Sequence, residues 1–361
     1  MNLAWNASTG AAGYRVYWGS VPGTYVSSAD AGGQTSKQVT GLVDGSPYYF
    51  VVRAYNSSGL LSGPSIEVSR RVGVPFSVSG DVDGDRKADI SVFRPSSGTW
   101  FSLQSSTNYS TSAVREWGGN GDVPVPGEYD GDGKIDLAVY RRSDGNWFIL
   151  KSSTNFTTWE LRQWGSGGDV PVPGDYDGDG KTDPAIYRPS TGTWFAMKSS
   201  SNYTTWNVYE WGEPGDKPLR GDYDGDGRAD VTVYRPSTGT WFIKKSTTNY
   251  TAYSTYDWGE PGDVPMPGDY DADGKTDITV YRPSTGTWFI LKSSTNFTAW
   301  NVHEWGEPGD VPMRGDYDGD GKADIAVYRP STGTWFILKS TTSFTAWSMY
   351  QWGTPGDIPV S

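Results

Sequence analysis

The sequence predicts an all-β chain: a β-propeller of six four-stranded blades of 47 residues each, preceded by a small β-sandwich. Three observations predict it. One motif returns six times at a fixed interval, and Gly, Pro, Asp and Asn punctuate the chain too often for helices. The third is the aromatic content, 18 Trp, 23 Tyr and 12 Phe in 361 residues.

The interval is read from acids and tryptophans. Asp175, Asp222, Asp269 and Asp316 each follow the last by 47 residues, and Asp81 and Glu128 hold the same phase. Trp100, Trp147, Trp194, Trp241, Trp288 and Trp335 keep step, as do Trp117, Trp164, Trp211, Trp258, Trp305 and Trp352. Within a unit, runs rich in Val, Ile, Tyr, Trp and Thr are bounded by turn residues and read as four strands. In the last copy these are 311–315, 325–329, 334–339 and 345–352. Pro330-Ser331-Thr332-Gly333 suits a tight hairpin, Pro fixing φ and Gly accepting φ > 0. Residues 357–361 repeat the phase of 310–314. They either begin a seventh unit, as in a truncated seven-bladed parent, or add a strand at ring closure.

Residues 1–72 alternate like sandwich strands, and Leu42 followed six residues later by Tyr48 has the spacing of a tyrosine corner. With Gly45, Val52 and Ala54 this stretch resembles a fibronectin type III domain, although the strand that should precede Trp5 is missing. Truncation within the domain is the expected cause. The alternative is a strand supplied by a partner. The chain therefore divides at 1–72 and 73–361.

Composition removes several function classes. A net charge of -12 and a pI near 4.6 disfavour nucleic acid and anionic membranes as partners. Mean hydropathy is -0.58 and no apolar run approaches the roughly 18 residues of a spanning helix, so membrane insertion is not expected. No signal-peptide pattern opens the chain. With zero Cys and a single His, His303, neither thiolate metal sites, His-rich zinc sites nor a Ser-His-Asp triad can be built readily.

The strongest chemical signal lies in six acidic loops. Asp175, Asp177, Asp179 and Asp183 stand at loop positions 1, 3, 5 and 9 around Gly180 at position 6. Alternate short carboxylates about a sharp turn offer oxygens from several directions, which suits calcium with its six to eight oxygen ligands better than octahedral magnesium. The same set recurs at Asp222, Asp224, Asp226, Asp230; at Asp269, Asp271, Asp273, Asp277; and at Asp316, Asp318, Asp320, Asp324. Two loops depart from it. Glu128 replaces the first Asp beside Asp130, Asp132 and Asp136, and Arg86 replaces the turn Gly among Asp81, Asp83, Asp85 and Asp89. Altered geometry is expected at both, with the Arg86 site weakest. Up to six calcium ions are expected, and six would cancel the formal charge of -12.

These units resemble the FG-GAP or VCBS repeats of integrin α-chain propellers and many secreted bacterial proteins. The resemblance implies that each loop joins the first two strands of a blade and binds calcium. It also implies a main-chain carbonyl ligand at position 7, here Lys87, Lys134, Lys181, Arg228, Lys275 and Lys322. It implies an extracellular or cell-surface location and recognition of glycans or protein partners, without catalysis.

Other motifs have plain readings. Arg220-Gly221-Asp222 and Arg314-Gly315-Asp316 spell an adhesion tripeptide, but each Asp opens a metal loop. The sequons at Asn155, Asn202, Asn249 and Asn296 fall in turns. His303 stands where Tyr209 and Tyr350 stand in other units. Trp159, Trp206, Trp300 and Trp347 are the candidate ligand-stacking residues, because Ser112 and Tyr253 occupy the same position elsewhere. A calcium-stabilised, non-catalytic binding module is thus the expected function. Two alternatives stand beside it. One is a structural surface or filament protein that self-associates through its incomplete first domain or C-terminal strand. The other is an accessory region of a larger glycan-active enzyme.

Overall fold

A computed structural model of the chain describes residues 2–21, 23–42, 47–65, 67–71 and 79–361. It divides into two compact units, Met1–Pro75 and Phe76–Ser361. The junction placed at 72/73, and Gly45 of the first unit's pattern, lie outside the described residues.

Among the described residues there are seven four-stranded antiparallel sheets, six in Phe76–Ser361 and one in Met1–Pro75. The second sheet of the larger unit runs Asp122–Pro124, Leu137–Arg141, Asn146–Leu150, Trp159–Gln163, so order across the sheet equals order along the chain. The third to sixth repeat this plan from Val170–Pro171, Lys217–Leu219, Val264–Pro265 and Val311–Gly315. The first sheet takes its opening strand from the far end of the chain: Ile358–Val360 lies beside Ile90–Arg94, followed by Thr99–Leu103 and Ser112–Glu116. Of the two expectations for the tail, this structure takes ring closure and not a seventh unit. Ile358, Pro359 and Val360 pair with Phe93, Val92 and Ser91, Val360 is buried, and the preceding Asp357 is gripped by Arg94.

The apolar clusters show how the sheets are arranged. Phe93 and Trp100 of the first sheet pack on Leu137 and Val139 of the second, and Tyr140 and Trp147 of the second on Ile186 of the third. Tyr187 and Trp194 then meet Val231 and Val233, Tyr234 and Trp241 meet Ile278 and Val280, and Tyr281 and Trp288 meet Ile325 and Val327. Tyr328 and Trp335 of the sixth sheet return to Ile90 and Val92 of the first. The cycle closes, and the unit is a β-propeller. Second strands, covered on both faces, are buried almost throughout. Fourth strands have one covered face and alternate exposed with half-buried residues.

One local element departs from the sequence expectation. A single 3-10 turn follows the third strand of each of the six sheets of the larger unit, at Ser105–Thr107, Ser152–Thr154, Ser199–Ser201, Ser246–Thr248, Ser293–Thr295 and Ser340–Thr342. It ends on a left-handed Asn, or Ser343 in the last copy. The fourth strand of the last unit consequently begins at Trp347, not at residue 345.

In the smaller unit, Asn2–Ala4 pairs with Ser36–Gln38, and the four-stranded sheet runs Ser27–Gly32, Gly13–Gly19, Pro47–Tyr55, Val68–Arg71. Val16, Val39 and Phe50 form its core, with Leu3, Trp5, Leu42 and Tyr48 packed around them.

Candidate metal centres

The second to sixth acidic loops join the first and second strands of their sheets, the first loop leads into Ile90–Arg94, and the shape of each follows from hydrogen bonds that its own carboxylates accept. In the third loop, Asp175 accepts the backbone N–H of Gly178 at 2.6 Å and of Gly180 at 2.8 Å. Asp183 closes the other end, accepting N–H groups of Tyr176 at 2.9 Å and Ser199 at 2.7 Å. Gly180 takes φ +89, a left-handed value that Gly reaches without strain. The first loop holds Arg86 there at φ 72. The fifth carries Ala272 at position 4 with φ 63, a departure that the reading of the acids passed over.

The carboxylates converge. In at least five loops oxygen atoms from three acids all lie within 4.8 Å of one another: Asp81, Asp83, Asp85; Glu128, Asp130, Asp136; Asp175, Asp177, Asp183; Asp222, Asp224, Asp226; and Asp269, Asp271, Asp273. Positions 1 and 3 contribute every time, and the third oxygen comes from position 5 or position 9. Three buried oxygens, Asp83 Oδ1, Glu128 Oε2 and Asp271 Oδ1, have no hydrogen-bond partner. Such a set, all oxygen and partly unsatisfied, fits a hard divalent cation.

Electrostatics point the same way. Burial, then the charge of Asp177, pushes Asp183 up to about 8. Burial likewise raises Asp175, Asp222 and Asp230 to about 7 and Glu128 to about 8. Carboxylates held this close and this dry resist ionisation unless a cation joins them.

Glu128 accepts hydrogen bonds differently from the Asp that holds its position in other loops. It accepts a short hydrogen bond from Gly131 N–H and leaves its second oxygen alone. At position 7, the N–H groups of Lys87, Lys134, Lys181, Arg228, Lys275 and Lys322 each donate to the position 5 Asp at 2.9 Å. Their side chains reach backwards: Lys134 lies over Gly84, Lys181 over Gly131, Arg228 over Gly178, Lys275 over Gly225 and Lys87 over Gly319.

The loops are also joined to one another. The position 8 N–H of each donates to the position 1 carbonyl of the loop before it: Ile135 to Asp81, Thr182 to Glu128, Ala229 to Asp175, Thr276 to Asp222, Ala323 to Asp269 and Ala88 to Asp316. The six bonds form an unbroken belt. A second belt comes from the later tryptophan series. Trp117 Nε1 donates to Phe148 O of the next sheet at 3.1 Å, and the series ends with Trp352 donating to Phe101 O.

Two groups essential to this geometry escaped the sequence reading. Ser199 Oγ donates to Asp179 at 2.8 Å and Ser200 Oγ to Asp177 at 2.7 Å, so the 3-10 turn caps the acidic loop. Arg94, Arg141, Arg188, Arg235, Arg282 and Arg329 each grip one buried Asp, at 357, 122, 169, 216, 263 and 310. The signal was available, since the Ser199, Arg188 and Asp169 positions return every 47 residues and the Ser200 position returns as Ser or Thr.

The candidate stacking residues sit on the fourth strands. Trp159, Trp206 and Trp347 are each 53% exposed and Trp300 57%. Each tilts against a tryptophan of the preceding sheet, as in Trp164–Trp206 with ring centroids 5.5 Å apart. Tyr253 takes the same place against Trp211 at 5.0 Å. There the junction widens into a cavity of about 460 Å³ lined by Trp211, Tyr253, Phe242, Arg235, Glu210 and Glu213. His303 packs on Phe344 at 4.7 Å, and its neighbourhood is apolar enough to lower its proton affinity.

Fold and loops together define a repeat β-propeller with acidic inter-strand loops. A model of the FG-GAP-like repeat matches residues 128–186 and 222–280. A Kelch domain-containing protein of Saccharolobus solfataricus is 42% identical over 76 residues, which is 21% of this chain and 10% of that protein. Among solved structures, virginiamycin B lyase of Staphylococcus aureus with quinupristin is similar with a TM-score of 0.47 at 9% identity, over 76% of this chain and 88% of that one. An auxiliary nutrient binding protein of Bacteroides ovatus gives 0.45 at 9%, over 84% and 73%. The Dos1 propeller gives 0.39 at 10%, over 86% and 76%. At such scores the likeness says nothing of activity.

Proposed function

We propose that the chain is a calcium-stabilised, non-catalytic binding module of the cell surface or extracellular space that recognises glycans or a protein partner through its blade junctions. The observation that carries this reading is the repeated junction itself. An aromatic ring more than half exposed leans on a second ring that a hydrogen bond to the next sheet holds in place, as Trp206 leans on Trp164. Rigid, amphipathic faces of this kind suit stacking on sugar rings or insertion into a partner surface. The smaller unit, with its two sheets and the Leu42 to Tyr48 spacing, is proposed as a fibronectin type III-like spacer. As for the filament alternative, the C-terminal strand pairs within its own chain.

A glycan array probed with and without calcium tests the reading. Binding is expected to fall at least tenfold when Trp159, Trp206, Trp300 and Trp347 are all replaced by Ala, with the far-ultraviolet circular dichroism unchanged. Equal binding by the quadruple variant would remove the junctions from the proposal. Native mass spectrometry in calcium should show up to six bound ions. Asp183→Ala should lose one of them, and the loop containing Arg86 should be the first to empty as calcium is lowered. Retention of the full complement by Asp183→Ala would contradict the ligand assignment.

A further inference from the structure

The axis of the ring carries a charge of the opposite sign to the rest of the molecule. First strands of all six sheets line one cavity of about 660 Å³, whose walls include Val172, Leu219, Met266, Met313 and Val360. Three arginines, Arg142, Arg220 and Arg314, also line it. Asp122, the one Asp or Glu in its lining, is already held by both Nε and Nη2 of Arg141, at 2.8 and 2.9 Å.

Arg220 and Arg314 occupy a position that is Pro126, Pro173 and Pro267 in other units, so they break the symmetry of the ring. Neither pairs with an Asp or Glu side chain among the described residues. Arg220 donates from one nitrogen to Ser79 Oγ at 3.2 Å and Ser361 O at 3.1 Å, and Arg314 donates to Pro267 O. A guanidinium has five N–H donors, so both remain underused. Each side chain keeps intermediate exposure, and the surface it exposes faces the cavity. The Tyr223 hydroxyl, close enough to act on the charge of Arg314, is buried without a partner. Its counterparts Tyr129, Tyr176 and Tyr270 each bond the carbonyl four residues earlier.

Cations inside a protein need compensation. We propose that the axial cavity is a binding site for a small oxyanion, a carboxylate or phosphate-type group, received by Arg220 and Arg314. The surrounding Pro, Val, Leu and Met walls accommodate an apolar remainder, so organic acids fit the cavity along with inorganic oxyanions. The lining of this cavity includes none of the stacking residues at the blade junctions.

Selenate and sulfate are the probes. Crystals soaked in selenate are expected to show anomalous density at the two guanidiniums, and calorimetric titration with sulfate at constant ionic strength should give one site. Arg220→Met and Arg314→Met should each weaken sulfate at least tenfold while calcium binding stays as in the parent. Succinate binding more tightly than sulfate would assign the site to organic acids, and the reverse order to inorganic oxyanions. Density confined to the outer surface, or unchanged affinity in both variants, would overturn the proposal. So would an anion that binds only when a neutral segment is added beyond Ser361, because the Ser361 carboxylate would then be the occupant. Should the variants fail to fold, the selenate map of the parent protein decides.

Discussion

Asp357→Asn is expected to destabilise the propeller by roughly 3 kcal/mol, the low end for breaking a buried ion pair. The low end applies because Arg94 keeps 32% of its side-chain surface while Asp357 keeps 1%. Burial alone would raise the Asp357 carboxyl, but the hydrogen bonds and charge of Arg94 outweigh it and the net direction is downward. A depressed carboxyl stabilises above its unfolded pKa and loses that contribution as pH falls, so the latch loosens on the acid side. The informative control is Asp169→Asn, which breaks the equivalent Arg188 pair within the third sheet. Both substitutions remove the same chemistry. Only Asp357 precedes the strand that joins the end of the chain to the first sheet, so its variant should also unfold faster in denaturant-jump kinetics. Equal unfolding rates would mean that closure is not the weak point of the ring.

Chelation should have the other large effect. At pH 7.5, a chelator is expected to lower the melting temperature by ten degrees or more, with recovery on adding calcium. Each site contributes RT ln(1 + [L]/Kd), about 2.7 kcal/mol at a hundredfold excess over Kd. The sign of the pH dependence follows from the raised carboxyls. Asp183 sits at about 8 and Asp175, Asp230 and Asp324 at about 7 in the folded chain, against about 4 when unfolded. The folded, metal-free state therefore binds more protons, and its stability falls as pH rises from about 4 through about 8. Bound calcium replaces those protons, so the protein in calcium should lack this decline. A chelated protein whose melting temperature rises steadily over that range would refute the arrangement of charges described here.

Much of this molecule was legible in its sequence because the repeat amplifies weak signals. One Asp-Gly turn means little, but six in a constant register specify strand boundaries, loop positions and the buried Trp147 series together. What stayed hidden has its partners far along the chain or visible only in three dimensions. Ser199 meets Asp179 across 20 residues, and Arg94 meets Asp357 across 263. Periodicity flagged those residues as recurrent but could not say what they touch. The fate of the tail was ambiguous for a related reason. Residues 357–361 look the same in sequence whether they start a new sheet or complete an old one, and the exposed edge of Ile90–Arg94 decides between the two. Arg220 and Arg314 were noticed for the tripeptides they begin, while their position on the ring axis is a property of the closed structure.

Because the strand that seals the first sheet is simply the head of the repeat found at the chain's far end, sequence modules and folded sheets are offset by one strand. Tandem duplication or loss of a module would then change the circumference without requiring a dedicated closing segment. Blade number in proteins built this way can drift in evolution one copying event at a time, limited by whether side chains such as Tyr187 and Trp194 still mesh at the new angle between neighbours.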